Sequence, residues 1–451
     1  MFLFVIISFL LYIIAPTAYS HMFCVICLVV GLINAICLYK GDLENEKIGF
    51  NAFFTIIFFP MFFIYPVFVR PILPDFSFFA FGYNEQIINK CAALAILFYS
   101  IYSASYRIGS KKSKSLRFKK TSIDEVITSR TIKISIFLDV IVFVLFLLSG
   151  GISFFRNQFT HEGSNASVIT TYLYVLLQQC NFLLTLSFLL KNNPRLRRQA
   201  LAIVAIITSI VLLTGSRTHP LVIILTIIYL CYRKYRFGLM KILAVGAIGV
   251  GIMVVIGLMR SGSIGDTTLA DVASYGESDA GAFSYMEDIL AINFNYYVLY
   301  DYVVKNSILW GENLITCVLS VVPFAQKIFM VITGIPEYKL GSPLFTTRLV
   351  LGDDTSLGLG TDIIGDAYLA FVLVGVVLCA IMVGRVVTYL RNRFFLGDIW
   401  GAVLYLQFVG GSVYLVRSSA LGSLRDYIWC VVVLLIITHG SKKKKGEIVN
   451  S

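Results

Sequence analysis

The chain has 451 residues, of which 58% are hydrophobic and only 14% charged, and its mean hydropathy is +0.84. A soluble protein of this length would be built from two or three domains with charged surfaces, and this composition excludes that class. The formal charge of +12 does not mark a nucleic-acid binder either, because the basic residues sit in short connectors between apolar runs, where topology selects them.

Runs of about twenty apolar residues recur along the chain, each enough to cross a hydrocarbon core of ~30 Å. Backbone polar groups are satisfied in lipid only by helices or closed barrels, and continuous rather than alternating apolar runs favour helices. The sequence therefore predicts an all-α polytopic integral membrane protein with about twelve transmembrane helices. Spans are expected near Phe2–Ala15, Met22–Tyr39, Phe50–Val69, Ile87–Tyr102, Ile132–Ser149 and Val168–Leu190. Further spans follow near Leu201–Leu213, Leu221–Tyr232, Ile242–Leu258, Ala367–Val383, Ile399–Leu415 and Tyr427–His439. The first reads as a retained span, because a basic leader region and a cleavage site are both lacking. Residues 1–259 thus hold nine spans, 260–366 form one large outer loop, 367–440 hold three spans, and 441–451 are a basic tail. Within the loop, Glu287–Val304 and Leu314–Ile335 are expected as interfacial or re-entrant helices. Tyr296, Tyr297, Tyr300 and Tyr302 would suit the headgroup level.

Orientation follows from lysine and arginine. With a cytoplasmic N-terminus and alternating spans, 26 of the 37 basic residues fall in inside connectors and 11 outside. The block RIGSKKSKSLRFKK (Arg107–Lys120) would be costly to translocate and fixes the sense. Both termini are then cytoplasmic and the large loop is periplasmic. The nine cysteines lie almost wholly inside apolar runs; Cys24 and Cys27 have no second pair or nearby histidine to complete a zinc site, so no metal, cofactor or disulfide framework is expected.

The basic residues left outside are mostly arginines: Arg70, Arg156, Arg217, Arg260, Arg348, Arg417 and Arg425, against Lys90, Lys305, Lys327 and Lys339. Singly, an arginine at a span end snorkels or pairs with an acid. As a set, they predict an outward cavity for phosphate oxygens, which the guanidinium fork fits. TGSRTHP (Thr214–Pro220) is a tight turn that projects Arg217 and His219, or else a capped hairpin with incidental charge. In GTDIIGDAYLAFVLVG (Gly360–Gly375), Asp366 stands at the start of a span, followed by Tyr368. An acid there complements the helix dipole or acts as a general base at the membrane surface; Asp353, Asp354 and Asp362 are weaker candidates. In FFRNQFTHEGSNAS, Arg156, His161 and Glu162 would face the same cavity or lie solvated in a loop. There is no Walker, HExxH or GxSxG motif. No buried line of acids or lysines crosses the mid-membrane region, as ion-coupled transport usually needs.

Three features make the chain resemble the bacterial oligosaccharide repeat-unit polymerases of the O-antigen type. They are the TGSR turn, the GTDIIGDAY start of a late span, and the VRSSALGSL turn at Val416–Leu424. The late-span signature Gly-Glu-x-Tyr reads here Gly365, Asp366, Ala367, Tyr368, an acid one carbon shorter. Arg-x10-Gly loop motifs do not match from Arg156, Arg260 or Arg348, so a two-loop catch-and-release scheme is not carried over. The resemblance implies a GT-C-like, metal-independent glycosyltransferase in the bacterial cytoplasmic membrane. It would join undecaprenyl-pyrophosphate-linked repeat units into O-antigen or capsular polysaccharide, among membrane lipids and beside a chain-length regulator and a flippase. Asp366, His161 or Glu162 would be catalytic; Arg70, Arg156, Arg217, His219, Arg260, Arg348, Arg417, Arg425 and Tyr368 would bind substrate. A flippase or transporter of lipid-linked glycans, and an O-antigen ligase, remain open beside it.

The charge count makes a direct prediction. Single cysteines placed between Lys111 and Lys120 or between Lys442 and Lys445 in a Cys-free chain should be shielded from an impermeant thiol reagent in intact cells, and cysteines at Asn165 and Glu277 should react; labelling at Lys114 from outside would overturn the topology.

Overall fold

The computed structural model describes residues 1–42, 48–74, 76, 81–112, 121–154, 167–213, 216, 218–235, 287–352 and 358–449. Among them every regular element is helical and none is a strand. Seven helices are long and apolar enough to cross a membrane: His21–Lys40, Phe50–Val69, Glu85–Ser110, Ser129–Phe154, Val168–Leu189, Pro194–Leu213 and Ile363–Phe395. Phe2–Ile14 and Ile399–Gly410 are shorter apolar helices. The protein is a polytopic helical membrane protein. The expected span Ile242–Leu258 lies outside the described residues.

We number the helices used below α1 (Phe2–Ile14), α2 (His21–Asp42), α3 (Phe50–Phe63), α4 (Ile88–Lys112), α5 (Ser129–Phe146), α6 (Val168–Thr185), α7 (Pro194–Leu213), α8 (Thr218–Tyr235) and α9 (Glu287–Lys305). After these come α10 (Glu312–Leu319), α11 (Ala325–Thr333), α12 (Ser342–Leu351), α13 (Ile363–Phe395), α14 (Ile399–Gly410), α15 (Ser412–Val416) and α16 (Leu424–Val449).

The bundle is organised on α4, which packs against α1, α2 and α13. Its sequence explains why. Ala92, Ala93, Ala95, Ser100, Ser103 and Ser105 are small and buried, and small residues let helix backbones approach closely in lipid. The contact with α13 is close at Gly384, where a Cβ would lie 2.8 Å from the Tyr102 carbonyl oxygen. Hydroxyls supply the interhelical hydrogen bonds that lipid does not compete for: Thr388 Oγ1 donates to the Tyr106 carbonyl at 3.1 Å and Ser105 Oγ to that of Ile381 at 3.1 Å. Ser100 joins three helices, bonded to Ser8 of α1 at 2.8 Å and to the Asn34 amide of α2 at 3.1 Å.

A second group holds α5, α6, α7 and α16 together. The Thr128–Thr131 capping box starts α5, and Ser167 accepts from the Thr170 amide to start α6. The buried residues of α5 form one stripe of Thr131, Ile132, Ser135, Asp139, Val142 and Phe146, while Phe137, Val140 and Val144 are exposed.

α9 departs most from the sequence expectation. Its Tyr296, Tyr297 and Tyr300 are buried, along with Leu290, Asn293, Phe294 and Leu299. The helix packs against α3, α4 and α13, so these three tyrosines meet protein rather than a headgroup layer, while Tyr302 is half-buried. Tyr296 is the clearest case: its hydroxyl donates to the Cys91 carbonyl of α4 at 3.1 Å and its ring meets Phe62 edge-on. Amphipathic spacing cannot distinguish a helix facing lipid headgroups from one facing hydroxyls and carbonyls inside a bundle. By contrast α11 buries none of its residues, and Val331 and Ile332 are 85% and 78% exposed.

Candidate functional site

The site is built around Asp366 in the first turns of α13. Asp362 caps this helix: its Oδ1 accepts from the backbone N–H of Ile364 at 2.9 Å and of Gly365 at 2.6 Å. Gly365 is required for that fold-back, because a Cβ there would stand 2.5 Å from Asp362 Oδ2. Asp362 is therefore the cap of α13, and Asp366, four residues on, is buried among its neighbours.

Asp366 is fully buried. The Asn313 side-chain amide of α10 donates to its Oδ1 at 2.7 Å and to its backbone carbonyl at 3.0 Å. Oδ2 has no hydrogen-bond partner among the described residues. The hydroxyls of Ser342 and Ser419 and the backbone of Ala420 lie within interaction range of the carboxyl. Ser419 Oγ is also 3.5 Å from Cys317 Sγ of α10. Thus the GTDIIGDAY segment, the first turn of the SPLFTTR helix and the VRSSALGSL turn meet at one acid.

Five residues beyond Asp366 the helix breaks. Phe371 has φ −147° and Val372 has φ +51° and ψ −140°, both non-helical. A β-branched residue at positive φ is strained and persists only where its surroundings fix it. Here the break frees the Leu369 carbonyl, which accepts from the Leu309 N–H at 3.0 Å. It also brings Gly375 so close to Ala367 that a Cβ would lie 2.1 Å from the Ala367 carbonyl oxygen. α13 is a half-helix carrying Asp366 followed by a long continuous segment, and helices interrupted at membrane depth border cavities or protein rather than lipid.

The same VRSSALGSL turn leads to a cavity of about 50 Å³, whose lining includes the polar Gln178, Gln179, His219, Gln407, Ser423 and Asp426 beside Phe182, Val222 and Tyr414. That volume admits water. The Asn181 amide bonds His219 Nε2 at 3.1 Å and Thr208 Oγ1 at 3.1 Å, which leaves the His219 proton on Nδ1. Burial pushes the His219 imidazole down to about 3, so the ring is neutral. Burial raises the Asp426 carboxyl above the usual carboxylate range, opposed by Arg425, whose Nε stands 3.5 Å away. The Gln407 amide donates to Gln179 Oε1 at 2.7 Å.

The other residues singled out from sequence are dispersed. Arg70 is buried and already held by Glu85 at 2.5 Å, by the Pro74 carbonyl at 2.7 Å and by the Tyr65 hydroxyl at 3.4 Å. Arg348 is exposed and stacks over the Tyr338 ring at 3.7 Å. Arg417 and Arg425 are half-buried in and after the VRSSALGSL turn. Tyr368 is buried and stacked on Tyr300 with centroids 4.5 Å apart. None of these arginines lines the His219–Asp426 cavity. Arg156, His161, Glu162, Arg217, Arg260, Asp353 and Asp354 lie outside the described residues. The described residues contain no cluster of three or more metal-ligating side chains. Asn313, Asp426 and the glutamine pair were not legible as site residues, since nothing in their local sequence separates them from ordinary loop and span polar groups. These features define a polytopic helical membrane protein with a buried acid beside a broken span. Comparison with protein-family models, with curated proteins and with solved structures returns no match.

The Asn313–Asp366 contact has a measurable stability consequence. Asn313→Leu leaves a buried carboxyl without its donor and should destabilise the folded protein by about 1–3 kcal/mol, read as a lower melting temperature in detergent. In an Asp366→Leu background the same change should cost markedly less; equal losses in both backgrounds would show that the two side chains do not interact.

Proposed function

We propose that the chain is a glycosyltransferase that polymerises oligosaccharide repeat units carried on undecaprenyl pyrophosphate, at the outer face of a bacterial cytoplasmic membrane. The observation that carries this reading is the convergence of the late-span segment and the VRSSALGSL turn, about fifty residues apart in sequence, on one buried acid. These are two of the three segments in which the chain resembles O-antigen polymerases. The proposal includes the twelve-span, GT-C-like plan with both termini cytoplasmic and residues 260–366 as the large outer loop.

In this reading Asp366 is the general base. Asn313 orients one carboxylate oxygen, and the other takes the proton of the acceptor hydroxyl as the hydroxyl oxygen attacks the sugar carbon. The bond from this carbon to the pyrophosphate oxygen breaks, and the lipid pyrophosphate leaves with the electron pair. Arg217 and Arg260 are assigned to that developing charge, through the forked geometry that lysine lacks. Because Asp366 is fully buried, an acceptor reaches it only after the Arg417–Leu424 turn or α10 moves aside.

The test is the Asp366→Asn variant, reconstituted with lipid-linked repeats. Asparagine keeps the volume, and its Oδ1 still accepts from Asn313, while its amide faces the Ser342 and Ser419 hydroxyls. The variant should fold and bind substrate, yet polymerise ~10²–10⁴-fold more slowly, the usual cost of losing a general base. Near-normal ladders would remove Asp366 from the chemistry. If the wild-type protein only relocates monomer across the bilayer, the chain is a flippase.

A further inference from the structure

Asp139 plays no part in the site above, and it is the least expected residue in the bundle. It lies ten residues after the start of α5 and seven before its end, so roughly 10–15 Å from either end at 1.5 Å per residue. It is fully buried, in the middle of the stripe that α5 turns toward its neighbours. Neither carboxyl oxygen has a hydrogen-bond partner among the described residues. An acid at membrane depth is costly and marks function by default, and a buried polar group left unmatched calls for a specific explanation.

The surroundings narrow the ligand. α5 packs against α6, α7 and α16. From α6 the titratable neighbour is Cys180, which lies within electrostatic reach of Asp139. On α16, Cys430 is within electrostatic reach of that Cys180 and of Asp426. The buried face of α7, comprising Leu196, Ala200, Val204, Ile207, Thr208 and Val211, brings no titratable group. No basic side chain and no second carboxylate answers Asp139 from these helices. A metal cation would need several further oxygens around it, and the described residues hold no such cluster. A proton needs only the one carboxylate.

A route is also present. Cys180, within electrostatic reach of Asp139, directly follows two residues of α6 that line the cavity. These are Gln178 and Gln179, two residues and one residue before Cys180. We propose that Asp139 is an intramembrane proton-binding site, loaded and emptied through the cavity between α6, α8, α14 and α16. A hydronium ion in the cavity gives its proton to the Asp139 carboxylate and leaves as water; the reverse step returns the proton. Because an ionised carboxylate is tolerated only where water reaches it, proton release requires the α5–α6–α16 junction to open. The protein then carries a proton-linked conformational step, independent of the glycosyl-transfer reading.

The probe is dicyclohexylcarbodiimide, which enters the hydrocarbon and reacts with carboxylic acids in their protonated form. The carboxyl O–H adds across one C=N bond and the adduct rearranges to a stable N-acylurea without losing an atom. In intact membranes at pH 7 the peptide containing Asp139 should gain the mass of one carbodiimide. Labelling should fall as pH is raised further, and Asp139→Asn should abolish it. No adduct at any pH, or one formed only below about pH 5 as for an exposed aspartate, would overturn the site. The route is read separately, in a chain whose native cysteines are replaced by serine. A charged methanethiosulfonate attached at Ser423→Cys should slow the return of Asp139 labelling after a jump from pH 9 to pH 6 by tenfold or more, and an unchanged rate would overturn the access path.

Discussion

The hydrogen bond from the Asn313 amide to Asp366, 2.7 Å long, is the contact on which the arrangement of this site depends. A carboxyl group enclosed by an apolar bundle is costly without a donor, and this donor comes from a short, half-buried helix. The bond pins α10 to the first half of α13. The break at Phe371–Val372 separates that half from the long segment after it, and the freed Leu369 carbonyl is caught just before α10, by the Leu309 amide. Acid, donor and break are therefore one structural unit: without the break the half-helix would run on beside α4, and without Asn313 the acid would be unmatched.

The rest of the bundle makes that unit affordable. α4 is the most enclosed of the seven long apolar helices, with 94% of its most apolar window buried, and it supplies a rigid back to α13 through Gly384, Thr388 and Ser105. Interhelical contact in lipid gains little from apolar burial as such, because lipid is as apolar as leucine; close approach and hydrogen bonds decide it. The small and hydroxylated residues of α4 provide both. α9, buried against the same helices, completes the enclosure on the side of Asp362, and its Asn295 amide donates at 2.7 Å to the Leu359 carbonyl just ahead of the α13 cap.

The all-helical, membrane-spanning class was legible because span length and apolarity are properties of single segments, as at His21–Lys40 and Ile363–Phe395. Asp366 was legible as a candidate because an acid at the head of an apolar run is conspicuous, and its closeness to the VRSSALGSL turn became visible only in three dimensions. Asp366 does lie in the first turn of α13, as expected, while the cap itself, Asp362, is identified only by the fold-back over Gly365. The tyrosines of α9 misled because aromatic residues with polar tips suit a membrane interface and a polar helix–helix seam equally well. Asn313 and the backbone break had no sequence signal: neither follows a proline, and Val372 is a residue that ordinarily disfavours positive φ. Asp139 was readable as a single acid within an apolar run, and its orphaned burial is a tertiary fact.

The central structural claim is that α10 and the VRSSALGSL turn close over Asp366, and it is tested most directly by cross-linking them. Cys317 Sγ stands 3.5 Å from Ser419 Oγ, near enough for small side-chain rotations to reach the ~2.05 Å of a disulfide. In a chain retaining Cys317 as its one native cysteine and carrying Ser419→Cys, mild oxidation in membranes should join the two residues, with loss of two hydrogens in the intact mass. Two free thiols after oxidation, in protein that remains folded, would contradict the account.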